Sequence, residues 1–113
     1  MVYVFLADGF EEVEALTVVD VLRRGDVVVN TVSIEKESEV NGSHNINIPA
    51  DIKFDQCDFN KADMLVLPGG LPGSTNLLAH KELKKQLIDF ADNGKKIAAI
   101  CAAPAAAARA IIG

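Results

Sequence analysis

VYVFLADGFEEVEALTVVDVLRRG, residues 2–25, is the stretch that decides the fold class. Val2 to Ala7 form an unbroken apolar run of strand length, the signature of a strand buried on both faces. Asp8-Gly9 breaks it. Residues 11–24 then read as a helix. Glu11, Glu12 and Glu14 crowd its first two turns and Arg23-Arg24 its last, an arrangement that suits the helix macrodipole. Val13, Leu16, Val19 and Leu22 are expected to form its apolar stripe, and Gly25 stops it. A doubly buried strand followed at once by a helix is the opening of a parallel α/β sheet.

The rest of the chain repeats that alternation. Residues 27–34 read as a second strand. The polar segment 35–45 contains Asn41-Gly42, a hairpin turn signal, and residues 44–48 alternate as a short strand ended by Pro49. Residues 63–67 form a third buried strand, closed by Pro68-Gly69-Gly70 and a loop rich in Gly, Pro, Ser and Thr. Residues 81–92 read as a helix with Leu83, Leu87, Phe90 and Ala91 on one face, terminated by Asn93-Gly94. Residues 96–100 are a last strand and 103–112 a last helix. This order predicts one domain over 1–113, a doubly wound, mostly parallel sheet with helices on both faces. The alanine tract of the last helix favours helix but buries little area. A doubly wound sheet ordinarily continues past such a helix, so a further C-terminal part is expected beyond Gly113.

Half of the 113 residues are apolar and 24% are charged, a globular balance. With one Tyr and five Phe, aliphatic side chains are expected to fill the core. The net charge of −5 and the lack of a clustered basic face argue against nucleic acid. No run reaches the ~18 apolar residues of a membrane span, and no basic segment precedes the first strand, so a signal peptide is not expected. Cys57 and Cys101 then read as thiols of a reducing, cytoplasmic compartment.

Cys101 is the strongest chemical feature. It follows a buried strand and precedes a helix, and in open α/β sheets function collects at the carboxyl ends of strands. That place is a sharp turn of nucleophile-elbow type. The helix N-terminus favours a thiolate, and amides near Ala102 are free to hold an oxyanion. The competing reading is a buried, inert cysteine. Asp8, Glu11, Glu12 and Glu14 lie at the same edge, and any of them is in range of Cys101; for Asp8, Glu11 and Glu12 a solvated helix-start acid is the better reading. A carboxyl beside a thiolate is held protonated and donates to sulfur. Gly69-Gly70 lets backbone approach a ligand at that edge, against the plainer reading of a strand-ending turn. His44, beside the hairpin, is a candidate pocket residue together with Gly69, although a structural role suits His44 better. His80, ahead of a helix, is expected to be exposed. The cysteines and histidines show no metal-ligand spacing, and no dinucleotide or Walker glycine pattern is present, so neither a metal nor a cofactor is expected.

Three segments together resemble one family: Ala7-Asp8-Gly9-Phe10-Glu11-Glu12-Val13-Glu14, Val66-Leu67-Pro68-Gly69-Gly70, and Ala98-Ala99-Ile100-Cys101-Ala102-Ala103-Pro104. They look like the ThiJ/PfpI family, in the branch of the Parkinsonism-associated protein deglycase and its bacterial relatives. The resemblance implies a flavodoxin-like sandwich and a homodimer. It makes Cys101 the reactive thiol and Glu14 its protonated partner, and it assigns the anion-cradling amides to Gly70 and Ala102. It implies glyoxalase-type conversion of methylglyoxal to lactate, removal of early glycation adducts, and oxidative-stress sensing. Relatives of this kind bring a histidine to the cysteine from a later part of their chains, and no residue here takes that role.

Two functions follow as expectations. The first is a cofactor-free, cysteine-dependent enzyme acting on a small α-oxoaldehyde or its glycation adducts. The second is a redox-sensing or protective, chaperone-like protein that uses the same oxidisable thiol without significant turnover. A peptidase is disfavoured, because the protease-like branch places a histidine directly after the cysteine, where this chain has Ala102. An amidotransferase is weaker still, for want of a distal His-Glu pair.

Overall fold

The computed structural model of the protein describes residues 1–112. The central strand is β1 (Val2–Leu6), followed by helix α1 (Glu12–Arg24) and strand β2 (Val29–Ser33). A two-stranded antiparallel hairpin, β3 (Glu39–Asn41) and β4 (Asn47–Pro49), comes next, with Val40 opposite Ile48. The short β5 (Ile52–Lys53) leads through two 3₁₀ turns to β6 (Met64–Leu67). Helices α2 (Gly73–Ala79) and α3 (Lys81–Asp92), strand β7 (Lys96–Ala99) and helix α4 (Ala103–Ile112) complete the described chain. The five-stranded sheet runs β5-β2-β1-β6-β7, and every pair in it is parallel. This is the doubly wound, parallel arrangement that the alternation of elements predicts, and the flavodoxin-like fold that the family resemblance implies.

The two-residue period of β1 divides its side chains between two cores. Val2, Val4 and Leu6 join Phe10, Ala15, Val19 and Val40 beneath α1. Tyr3, Phe5 and Ala7 join Leu77, Leu83, Leu87, Phe90, Ala103, Ala107 and Ala110 beneath α2, α3 and α4. All six residues Val2–Ala7 are buried, as a strand covered on both faces requires. Each fully buried Phe or Leu in these layers contributes roughly 1.5–3 kcal/mol relative to exposure. Helix α4 sends Ala103, Ala107 and Ala110 inward at helical spacing, so the alanine tract does supply a core face, though a thin one.

Several expectations are corrected. The apolar stripe on α1 is not Val13-Leu16-Val19-Leu22: Val13 is 70% exposed and Leu16 36%, and the buried residues are Glu12, Ala15 and Val19. The inward face is rotated because a carboxylate, Glu12, is buried for its hydrogen bonds, which an apolar count does not detect. Aromatic rings, not only aliphatic chains, fill the second core: Phe59 stacks on Phe5 and meets Tyr3, Phe54 and Phe90 edge-on or tilted. The Gly/Pro/Ser/Thr loop after β6 contains helix α2, whose seven residues are too few for a periodicity to emerge. His80 is half-buried against Phe54 and not exposed. Gly94, at φ +67°, closes α3 as the Asn93-Gly94 pair predicts.

Candidate active site

Three parallel strands deliver their carboxyl ends to one edge: β1 leads to the turn 7–11, β6 to Pro68-Gly69-Gly70, and β7 to Ile100-Cys101-Ala102. The turns are laced together through the backbone. The Glu11 amide donates to the Gly69 carbonyl at 2.9 Å, Gly73 to Gly9 at 3.2 Å, and Ile100 to Leu67 at 3.3 Å. Gly70 has φ +96°, and a Cβ there would lie 2.7 Å from the Gly9 carbonyl oxygen, so only glycine fits this crossing.

Cys101 occupies the turn between β7 and α4 with φ 60°, a left-handed conformation that a cysteine adopts only under constraint from its surroundings. The thiol is exposed. Helix α4 begins two residues later, and its first turn carries no acid. Among the described residues, the amides of Gly70 and Ala102 donate to no backbone carbonyl. Backbone amides without an internal acceptor are the groups from which an oxyanion cradle is built.

Glu14, half-buried on the first turns of α1, accepts the Gly69 amide at 3.0 Å through Oε1. Gly69 packs close to both Glu14 and Cys101: a Cβ built on Gly69 would lie 2.5 Å from Glu14 Oε1 and 2.8 Å from the Cys101 Cβ. The fold therefore brings Cys101, Glu14 and Gly69 together, with Gly70 and Ala102 as the chain neighbours of two of them.

The other acids are sorted by their partners. Glu11 is the N-cap of α1, accepting the Val13 amide. Asp8 accepts the Asn41 amide at 3.0 Å. Glu12 departs furthest from the solvated reading, at 3% exposed. Its carboxylate accepts the His44 amide at 2.8 Å, the Ile46 amide at 3.3 Å and the Ser43 hydroxyl at 3.4 Å, and it meets His44 Nδ1 at 2.9 Å. Burial pushes the Glu12 carboxyl up, but the His44 ring and the surrounding amides override it and hold it down at about 2. The Glu12 hydrogen bond, with the charges of Glu11 and Glu12, holds His44 above its ordinary value. His44 thus clamps the hairpin turn to α1, the structural role its position suggested. Gly42 is required there because any side chain would run into the Glu12 carboxyl. Glu11, Glu12 and His44 offer ligand atoms within 4.8 Å of one another, a grouping that sequence spacing did not show. Only the hairpin register brings His44 across to α1.

Cys57 contrasts with Cys101. Burial, with the nearby charge of Asp55, pushes its thiol up to about 12, so it remains protonated at neutral pH.

The DJ-1/PfpI family matches residues 1–112. The chain belongs to the DJ-1/PfpI family. It is 37% identical to protein DJ-1 homolog B of Arabidopsis thaliana over 100 residues, covering 88% of this chain and 23% of that protein. It is 31% identical to Deglycase TK1284 of Thermococcus kodakarensis over 103 residues, 91% of this chain and 61% of that protein. The solved structure of oxidized Toxoplasma gondii DJ-1 superposes with a TM-score of 0.90 at 34% identity, over 96% of this chain and 59% of that one. The chain thus spans less than two thirds of the length of each of these DJ-1/PfpI relatives. Among the described residues, no helix is long and apolar enough to cross a membrane.

Proposed function

We propose that the protein is a cofactor-free, cysteine-dependent enzyme that acts on small α-oxoaldehydes or early glycation adducts, with Cys101 as nucleophile. The observation that carries this reading is the strained Cys101 turn, packed with Glu14 against the same glycine, Gly69. A family relative named a deglycase supports it. For methylglyoxal, Cys101 Sγ adds to the aldehyde carbon, the C–S bond forms, and the carbonyl electron pair moves to oxygen. The Gly70 and Ala102 amides hold that developing charge. The oxygen takes a proton, giving a hemithioacetal. Glu14 then carries a proton from the former aldehyde carbon to the neighbouring ketone carbon, and the hemithioacetal hydroxyl proton passes to the former ketone oxygen as the electrons shift, giving a lactoyl thioester. Water cleaves the thioester to lactate and the free thiol. The sum is methylglyoxal plus water to lactate, with no external oxidant or reductant.

The working form in this reading is a cytoplasmic homodimer. Val13 and Leu16, exposed on α1, are the apolar residues that a second copy would cover. A second reading is supported by the exposed thiol and by the oxidized state of the similar Toxoplasma protein: Cys101 as a redox sensor or protective thiol without significant turnover. Incubating the protein with methylglyoxal in the absence of glutathione, beside Cys101→Ala, separates the two. Lactate formed only by the wild type supports the enzyme. No lactate from either, with Cys101 still oxidised by peroxide, supports the sensor.

A further inference from the structure

Helices α2 and α3 meet at a single residue, His80, and its backbone and side chain serve both. The His80 amide donates to the Leu77 carbonyl at 3.2 Å and closes α2. Its Nδ1 accepts the Leu83 amide at 3.0 Å and caps α3, while its carbonyl accepts the Lys84 amide at 3.0 Å. The ring packs on Phe54 with centroids 4.6 Å apart, at the margin of the aromatic core. An imidazole nitrogen accepts a hydrogen bond only while it carries no proton. The cap therefore exists only in the neutral ring with its proton on Nε2. A proton on Nδ1 sets a donor against the Leu83 donor.

We propose that His80 is a proton-sensitive latch: neutral, it fastens the first turn of α3 to the end of α2, and charged, it releases that turn. The latch is placed to matter. Leu83 is fully buried in the core beneath α3, and α2 starts three residues after Gly70, in the turn that follows β6. The charged groups that line the two clefts beside His80 come from several elements, and α2 contributes none. Asp8 follows β1, Glu35 and Lys36 follow β2, Lys53 lies on β5, Asp55 in the adjoining 3₁₀ turn and Glu82 on α3. Burial lowers the His80 pKa below the ordinary histidine value, against the opposing pull of Glu82 and Glu35. A group lowered in the folded state is protonated more readily when unfolded. Its contribution is therefore present above about 6.5 and is lost as pH falls through the folded value.

The test is amide hydrogen exchange followed by NMR on the ¹⁵N-labelled protein, at about pH 7.5 and about pH 5, on either side of the histidine range. Rates are corrected for intrinsic exchange. In the wild type, the Leu83 and Lys84 amides should lose about five-fold in protection at the lower pH, the size of one N-cap. His80→Asn, which caps without titrating, should show no such loss. Equal pH responses in the two proteins, or no response in the wild type, overturn the latch. A second measurement needs no variant: the Leu83 amide shift and the His80 imidazole nitrogens of the wild type must titrate with one midpoint. Separate midpoints overturn the proposal.

Discussion

The Gly69 amide donates to Glu14 Oε1 at 3.0 Å, and a side chain on that glycine would collide with both Glu14 and Cys101. A carboxyl from the first helix and a cysteine from the strand-to-helix turn after β7 thereby approach the same glycine. Neither residue is near the other in sequence. The parallel sheet places β6 between β1 and β7 and so brings their carboxyl ends to the same edge.

Glu14→Gln separates the positioning role of Glu14 from its proton chemistry. The amide oxygen of glutamine still accepts the Gly69 amide, so the melting temperature should stay close to wild type. Glutamine cannot carry a proton. Lactate formation from methylglyoxal should therefore fall by about 10²–10⁴-fold, the usual worth of a general acid–base. Unchanged turnover would remove Glu14 from the mechanism.

The buried Glu12 carboxylate should give the hairpin an acid-labile attachment. Its folded pKa is depressed to about 2, so its stabilisation is present above the unfolded value of about 4.3 and disappears as pH falls toward 2. His44, raised in the folded state, works in the opposite direction. Its share is full below about 6.5 and is lost as pH rises through its folded value. Glu12→Gln should lower the melting temperature by several degrees at neutral pH and flatten the fall in stability between about pH 4 and about pH 2. Thermal melts across that range provide the check, and an unchanged acid slope would show that the clamp is not energetic.

Ser74 is buried in the small cavity between α2, α3 and α4, among Leu67, Leu77, Leu87, Ala103 and Ala107, and its hydroxyl has no hydrogen-bond partner among the described residues. An unpaired buried hydroxyl costs about 1–3 kcal/mol. Ser74→Ala should therefore stabilise the protein by about 1 kcal/mol in urea unfolding. A loss of stability would mean that the hydroxyl is paired in solution.

The architecture is legible in the sequence because β1 and β6 are buried on both faces and read as continuous apolar runs. Cys101 is legible for a related reason: a strand that ends at a helix start fixes where a side chain must emerge. Glu12 is not legible. Its donors come from Ser43, His44 and Ile46, and nothing local to α1 signals that a hairpin some thirty residues away will fold over it. Helix α2 is hidden by its glycine, serine and threonine. The latch role of His80 depends on a ring nitrogen accepting a particular amide, which composition and periodicity do not encode.

The central claim is that Cys101, and not Cys57, is the reactive thiol. Cys101 is exposed at a helix start, whereas burial and Asp55 hold Cys57 at about 12. Oxidation follows thiolate character and access. Peptide mass mapping after graded peroxide measures both cysteines in one sample. The account predicts that two oxygens are added at Cys101, giving the sulfinate, while Cys57 stays unmodified. Equal oxidation of the two, or preferential oxidation of Cys57, would contradict it.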